Sequence, residues 1–179
     1  KTERSKSLSS SIDSYYNLFG AEGNFMLEGF YTRLDDVFVL KEIGEDIQGN
    51  KIMERRNGSG AIVKGVNIEN RIAFSPKYQL QFGFTLQKSN YIEDQFWSDD
   101  PDIAPLKKLP RSPEKYGYLS FSANPVRDFR AYISGTFTGS MLTPHYAGYI
   151  LKDEMKETPR FFDVNFKVSY DFKLKGGIL

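Results

Sequence analysis

Tyr78-Gln79-Leu80-Gln81-Phe82-Gly83-Phe84-Thr85-Leu86-Gln87 alternates residue by residue between ring or aliphatic side chains and polar or small ones. Tyr78, Leu80, Phe82, Phe84 and Leu86 fall on one face of an extended chain, and Gln79, Gln81, Gly83, Thr85 and Gln87 on the other. That period of two belongs to a β-strand, because a helix would scatter both sets around its axis. Outward along the chain the pattern recurs. Phe162, Val164, Phe166, Val168, Tyr170 and Phe172 alternate with Asp163, Asn165, Lys167, Ser169 and Asp171, and Phe129, Ala131, Ile133, Gly135 and Phe137 alternate with Arg130, Tyr132, Ser134, Thr136 and Thr138. Leu8, Ile12, Tyr16 and Leu18 against Ser9, Ser11, Asp13 and Asn17 make a weaker example. Charge is confined to the polar faces.

The connections between these runs are of two kinds. Phe19-Gly20-Ala21-Glu22-Gly23, Ser75-Pro76-Lys77 and Asn124-Pro125-Val126-Arg127-Asp128 are short and rich in turn formers, so they read as hairpin turns. Residues 41–51, 91–112 and 143–158 are long and polar. Short and long connections alternate along the chain, which places every short turn at one end of the strands and every long loop at the other. About seven strands result, near residues 7–18, 24–40, 52–74, 78–91, 114–124, 129–142 and 160–174. The expected fold is all-β, an antiparallel up-and-down meander of long strands. Short turns on one side and long loops on the other are the arrangement of bacterial outer-membrane barrels. Seven is fewer than the roughly eight strands of the smallest closed barrel, so the chain, residues 1–179, is expected to be a segment of a larger one. Its ends, Lys1-Thr2-Glu3-Arg4 without a leader and Gly176-Gly177-Ile178-Leu179, are read the same way.

Composition agrees with this reading and excludes several others. The mean hydropathy of −0.47 and the charges interrupting every apolar run leave no stretch long enough for a transmembrane helix, yet strands with one apolar face keep average hydropathy low. The 15 Phe and 11 Tyr favour strands. With 24 Lys and Arg against 23 Asp and Glu there is no electrostatic case for nucleic acid. No cysteine and a single histidine, His145, leave no thiolate metal site, no His-rich metal site and no Cys/His dyad, so neither an enzyme nor a cofactor is expected. The acid pairs Asp35-Asp36 and Asp99-Asp100 read as solvated loop carboxylates, and Gly58-Ser59-Gly60 lacks the Lys-Ser/Thr of a phosphate loop and reads as a bend in a strand.

Asn57-Gly58-Ser59-Gly60-Ala61-Ile62-Val63-Lys64-Gly65-Val66-Asn67-Ile68-Glu69 resembles the asparagine, glycine and "G-V-E" signature late in the barrels of TonB-dependent receptors, with Asn67 where Glu is commoner. Leu109-Pro110-Arg111-Ser112-Pro113 is similar to that family's "P-R-x-P" entry into the next hairpin. Phe30-Tyr31 with Asp35-Asp36-Val37-Phe38 resembles its "F-Y…D" strand. Gly139-Ser140-Met141 and Pro144-His145-Tyr146-Ala147-Gly148 look closest to receptors of Bacteroidetes-type bacteria. The resemblance covers nearly the whole chain. It implies a barrel of about 22 strands with a plugged lumen in the Gram-negative outer membrane, whose plug and last strands lie outside this segment. It further implies coupling to the TonB complex and import of a scarce nutrient such as an iron chelate (a siderophore), haem, cobalamin or a glycan. The alternatives are a passive outer-membrane porin and a soluble carbohydrate-binding β-domain.

Candidate ligand-binding residues are the ring and cationic side chains of the long loops: Phe96, Trp97, Lys107, Lys108, Arg111, His145, Tyr146 and Tyr149. Flat rings and cationic heads suit sugars or anionic chelates. The competing and commoner reading is an aromatic girdle at the lipid headgroups or simple loop packing. Glu28, Glu69, Arg130, Asp163 and Lys167 are expected to face the lumen, hydrogen-bonded across neighbouring strands.

Sidedness follows from the segregation of connections. Cysteines placed at Gly49, Asp100 or Asp153 in the full-length protein should label on intact cells with an impermeant maleimide. Labelling at Lys77 or Arg127 instead would reverse the orientation.

Overall fold

The computed structural model describes residues 2–98, 100–148 and 150–172. Every regular element among them is a strand: β1 (Arg4–Leu18), β2 (Ala21–Asp35), β3 (Phe38–Glu45), β4 (Lys51–Asn57), β5 (Ala61–Ser75), β6 (Tyr78–Gln95), β7 (Leu106–Lys108), β8 (Lys115–Val126), β9 (Phe129–Thr138), β10 (Leu142–His145), β11 (Glu154–Glu157) and β12 (Phe161–Tyr170). Seven of them form one antiparallel sheet in the order β1-β2-β5-β6-β8-β9-β12, with β7 paired to the outer end of β6. Strands adjacent in that sheet follow one another in the chain apart from three insertions, the hairpins β3-β4 and β10-β11 and the short β7. The sheet is therefore the expected meander, and among the described residues β1 and β12 are its edges.

Its three turns lie at one end. β1 and β2 are joined by Phe19 and Gly20, whose φ values of 53° and 83° match the primed turn that suits the twist of a hairpin. Pro76-Lys77 joins β5 to β6 and Arg127-Asp128 joins β8 to β9. Lys77 Nζ donates to Pro125 O at 2.9 Å and so links two neighbouring turns. At the other end lie the three long connections, residues 36–60, 96–114 and 139–160.

Strand lengths and bounds differ from the sequence reading where the chain turns without a conventional signal. The run 24–40 breaks at Asp36, which takes a φ of 57°, and resumes as β3. The run 52–74 breaks at Gly58-Ser59-Gly60. Gly60 has a φ of 108°, and a Cβ there would sit 2.3 Å from Leu34 O, so only glycine passes this point. Residues 41–51, expected as loop, are largely the hairpin β3-β4, closed at its tip by Asp46, whose carboxylate accepts from Gln48 N at 2.9 Å and Asn50 N at 2.8 Å. Asn50 also donates its side-chain amide, and together these bonds hold the Asp46 carboxyl below the usual carboxylate range. Residues 129–142 end as a strand at Thr138, residues 143–158 contain the second hairpin, and Pro125 lies within β8 at a bulge between Ala123 and Val126, where its missing N–H is tolerated. Of the final run to residue 174, positions 173 and 174 lie outside the described residues.

Register assigns every side chain to a face. Ile12, Leu27, Ile68, Phe84, Gly117, Phe137 and Phe162 are successive cross-strand partners and make one row of an apolar face. Within it Phe84 and Phe137 stack at 6.2 Å, bridging Gly117, and Phe137 meets Phe162 at 5.0 Å. Nearer the turns, Tyr16, Ile72, Leu80, Phe121, Ile133 and Phe166 form a parallel row, with Tyr78 stacked on Phe121 at 6.4 Å. Only Val37 and Ala61 are buried apolar residues among those described. The chain exposes 13285 Å², whereas a compact monomer of 20.5 kDa would expose about 9,000 Å². The molecule is a single layer whose apolar face is turned outward, which suits hydrocarbon and not water. A strand of 15 residues such as β5 spans about 50 Å, roughly twice the apolar band of a membrane barrel, so its outer part projects beyond the bilayer.

Opposite faces of one strand should therefore respond differently to charge. Phe82→Arg or Phe84→Arg in the full-length barrel should lower its stability in lipid by about 2–4 kcal/mol near the bilayer midplane, and Gln81→Arg by much less. Equal tolerance on the two faces, measured by reversible denaturant unfolding in bilayers, would contradict the assignment.

Candidate functional site

The opposite face is polar and internally hydrogen-bonded. Glu28, Asn67, Thr85, Tyr116, Thr138 and Phe161 are successive cross-strand partners on it. Asn67 Nδ2 donates to Glu28 Oε2 at 2.7 Å, and Thr85 Oγ1 donates to Asn67 Oδ1 at 2.9 Å, so three strands are joined by one side-chain ladder. Gln81 Nε2 donates to Tyr118 OH at 3.0 Å and Arg71 Nη2 to Gln79 Oε1 at 2.9 Å. Tyr118 lies flat over Gly83, where a Cβ would stand 2.5 Å from the ring. Asn67, Glu69, Thr85, Tyr116, Tyr118 and Asp163 line a concavity of ≈ 730 Å³ on this face.

Glu28, Glu69, Arg130, Asp163 and Lys167 all have registers that place them on this polar face, as the alternation predicts. Their bonds agree in part with the expectation: Glu28 is in the ladder and Arg130 of β9 pairs at 2.7 Å with Asp171, just beyond the neighbouring β12, whereas Asp163 accepts from Asn165 of its own strand at 2.7 Å. Tyr116 and Tyr118 were legible in the alternation of residues 115–122 and are the functional-surface residues that the sequence reading did not single out.

The loop residues sort into those brought together and those held apart. Trp97, beyond the end of β6, meets Tyr146, just after β10, with ring centroids 6.2 Å apart and planes inclined at 55°. Beside them Ser98 Oγ donates to Asp153 Oδ2 at 2.7 Å, and Ala147 N donates to Asp153 Oδ1 at 2.5 Å. Two long connections are thus tied by one ring pair and one carboxylate. The "P-R-x-P" segment adds a third tie. Arg111, held at a φ of 55°, donates its backbone N–H to Leu142 O at 2.7 Å. Ser112 Oγ and Ser89 Oγ lie 2.8 Å apart, Gln87 Nε2 donates to Pro113 O at 2.9 Å, and Ser89 is only 2% exposed.

The cations are placed less favourably for a shared site. Lys107 donates to Ile92 O at 2.6 Å and pairs with Asp94 at 3.6 Å, both at the outer end of β6, and Lys108 pairs with Glu114 of its own connection at 3.3 Å, so both are already engaged. Arg111 and His145 have exposed side chains, His145 opposite Glu154 in the β10-β11 hairpin. Phe96 is 76% exposed beside Trp97. Tyr149 lies outside the described residues. Among the described residues no cluster of three or more His, Cys, Asp or Glu side chains forms a metal site.

A family model described as TonB dependent receptor-like, beta-barrel matches residues 1–178. Among solved structures the chain is similar to the closed form of the ferric-catecholate import receptor Fiu from E. coli K12, at 17% identity and a TM-score of 0.58 over 93% of this chain and 21% of that one. It is also similar to the siderophore receptor PirA from Acinetobacter baumannii, at 12% identity and a TM-score of 0.54 over 94% of this chain and 26% of that one. At these identities the likeness establishes the fold, and the chain spans only about a fifth to a quarter of either structure. No curated relative matches.

The ring contact between connections is measurable. In a double-mutant cycle of Trp97→Ala and Tyr146→Ala, the pair should show a coupling of about 0.5–1.5 kcal/mol, read from amide exchange in both loops. Strict additivity would mean that the loops are not tied through these rings.

Proposed function

The chain belongs to the TonB-dependent receptor family as a segment of its outer-membrane β-barrel, and from that membership we propose that the whole protein imports a scarce nutrient using energy delivered through TonB. The observation that carries the proposal is the match of the family model to residues 1–178. The two-faced sheet supports it, since an apolar outer face, a hydrogen-bonded inner face and long outer connections are what such a barrel requires. An iron chelate is the favoured cargo, because the two similar structures are receptors for ferric catecholates and for siderophores. Haem, cobalamin and glycans are the other classes.

The inner face favours a lumen filled by a folded plug over an open channel. Tyr116, Tyr118 and Phe161 present rings to the lumen, a surface that a packed plug would cover and a water-filled channel would leave wet. The plug would also carry the segment that TonB engages. Recognition of the cargo then falls to the tied outer connections. Phe96, Trp97, Arg111, His145 and Tyr146 offer flat rings beside cationic groups, a combination suited to an anionic aromatic chelate. Tyr149 belongs to the same proposal from sequence alone, as do Lys107 and Lys108 if cargo displaces their carboxylate partners.

Uptake of radiolabelled ferric catecholate into cells expressing the full-length protein tests the reading. Uptake should vanish when TonB is deleted, and Trp97→Ala with Arg111→Ala should raise the half-saturating concentration by about tenfold while leaving the barrel's abundance unchanged. Uptake that persists without TonB would assign a passive porin instead.

A further inference from the structure

The apolar face ends, toward the long connections, in a group of lysines. Lys64 on β5 stands directly opposite Lys88 on β6, and Lys115 on β8 stands opposite Leu86, two residues from Lys88 on the same face. Like charges directly opposed across an antiparallel pair repel and destabilise the pairing. Among the described residues no carboxylate relieves the repulsion: all three side chains are exposed and none has an ion pair or hydrogen bond, while the nearby Glu114 is engaged by Lys108 at 3.3 Å. One row further out, Lys6 stands opposite Arg33, which pairs with Asp35 at 2.7 Å. At the turn end of the same face the corresponding rows are Tyr16, Ile72, Leu80 and Phe121, without a cation.

Directly below the lysines the face is hollowed. Ser10 and Gly29 are cross-strand partners with little or no side chain, and a Cβ at Gly29 would meet nothing within 4 Å. Leu8, Tyr31, Val66 and Leu86 wall the resulting groove, which has a volume of ≈ 760 Å³ and is continuous with Lys64, Lys88 and Lys115. An apolar furrow on a lipid-facing surface is occupied by acyl chain in a bilayer. A trio of uncompensated ammonium groups at its outer mouth selects what the chain is attached to.

We propose that this groove is a binding site for one phosphorylated lipid of the outer leaflet, its acyl chain lying over Leu8, Tyr31, Val66 and Leu86 and its phosphate held by Lys64, Lys88 and Lys115. The long lysine stems extend up the barrel wall to the headgroup level, and the anion removes the repulsion between Lys64 and Lys88. The site is on the outer wall and is independent of the cargo. It rests on the outward orientation of the long connections, which cysteine labelling at Asp100 determines separately.

The full-length receptor in phosphatidylcholine nanodiscs, with bisphosphorylated lipid A or its dephosphorylated form added, tests the proposal by native mass spectrometry. The wild-type barrel should retain the phosphorylated lipid about tenfold better than the dephosphorylated one. The triple variant Lys64→Gln, Lys88→Gln, Lys115→Gln should lose that preference, the corresponding triple Arg variant should keep it, and Lys167→Gln on the inner face should leave it unchanged. Equal retention of both lipids by the wild type, or an unaltered preference in the triple Gln variant, would overturn the site. Displacement of the lipid by inorganic phosphate at equal concentration would likewise overturn it, by showing a free-anion site. Labelling at Lys77 in place of Asp100 would overturn the assignment to the outer leaflet even if the lipid preference persisted.

Discussion

Backbone hydrogen bonding inside hydrocarbon is the constraint on which this structure depends. An N–H or C=O group left unpaired there is destabilising by several kcal/mol, so a chain that crosses the bilayer as strands must pair each with the next. The ladders from β1 to β12, which slip register only near the turns at Ala73–Ser75 and Ala123–Val126, meet that demand through the interior of the sheet. Among the described residues the outer edges of β1 and β12 are the two places where the ladder has no further strand. The same constraint explains why the sheet is a meander. Consecutive antiparallel strands need only tight turns on one side, and any excess chain must leave the membrane on the other, which is where both hairpin excursions are found.

With the ladder fixed, the side chains are free to serve two solvents. A soluble domain of this size would bury its aromatic rows in a core; here Phe84, Phe137 and Phe162 touch one another along a row of the sheet and remain open to the outside. Their stabilising contribution comes from lipid, not from a second protein layer. The inner face obeys the contrary rule. Facing a lumen, its polar groups need partners, and the Glu28–Asn67–Thr85 ladder provides them across three strands. Glycine at position 83 fits the same logic, because the Tyr118 ring occupies the space that a side chain would fill and so packs directly on backbone.

This division decides what could be read from sequence. Alternation in residues 78–87 and 162–172 is a direct imprint of the two solvents, so face assignments made from it hold throughout the described residues. Strand ends were less legible. The break at Asp36 depends on a left-handed residue that is not glycine, and the break at Gly60 depends on the approach of Leu34 O from a neighbouring strand. The hairpin β3-β4 was concealed by its own composition: above the bilayer neither face has a hydrocarbon or core to satisfy, and Ile43, Ile47 and Met53 are exposed without a period that announces a strand. Least legible was the loop surface. Trp97 and Tyr146 were singled out by residue type, but their contact belongs to two connections separated by two strands of the sheet, and no local pattern encodes it. Lys107 and Lys108 show the complementary failure, since their carboxylate partners Asp94 and Glu114 were visible in the sequence without any sign of the pairing.

The ties between the long connections bear on how such a surface could work. A loop that closes over cargo alone must lose its own conformational freedom at that moment, and the loss opposes binding. Here part of that freedom is already gone. Asp153 accepts from both Ser98 and Ala147, Arg111 is bonded to Leu142, and the Trp97–Tyr146 contact joins the same two connections. These three ties couple the connections, so a ligand that orders one orders the other at reduced entropic loss. They also relay any displacement onward: the segment carrying Arg111 continues through Ser112 and Pro113 to Ser89 and Gln87 on β6. Gln87 and Ser89 lie on the inner face of that strand, two and four residues from Thr85 of the polar ladder. The outer connection that carries Arg111 is thus hydrogen-bonded directly to the inner face of β6 at Gln87 and Ser89, on the same face as the polar ladder and just outward of it.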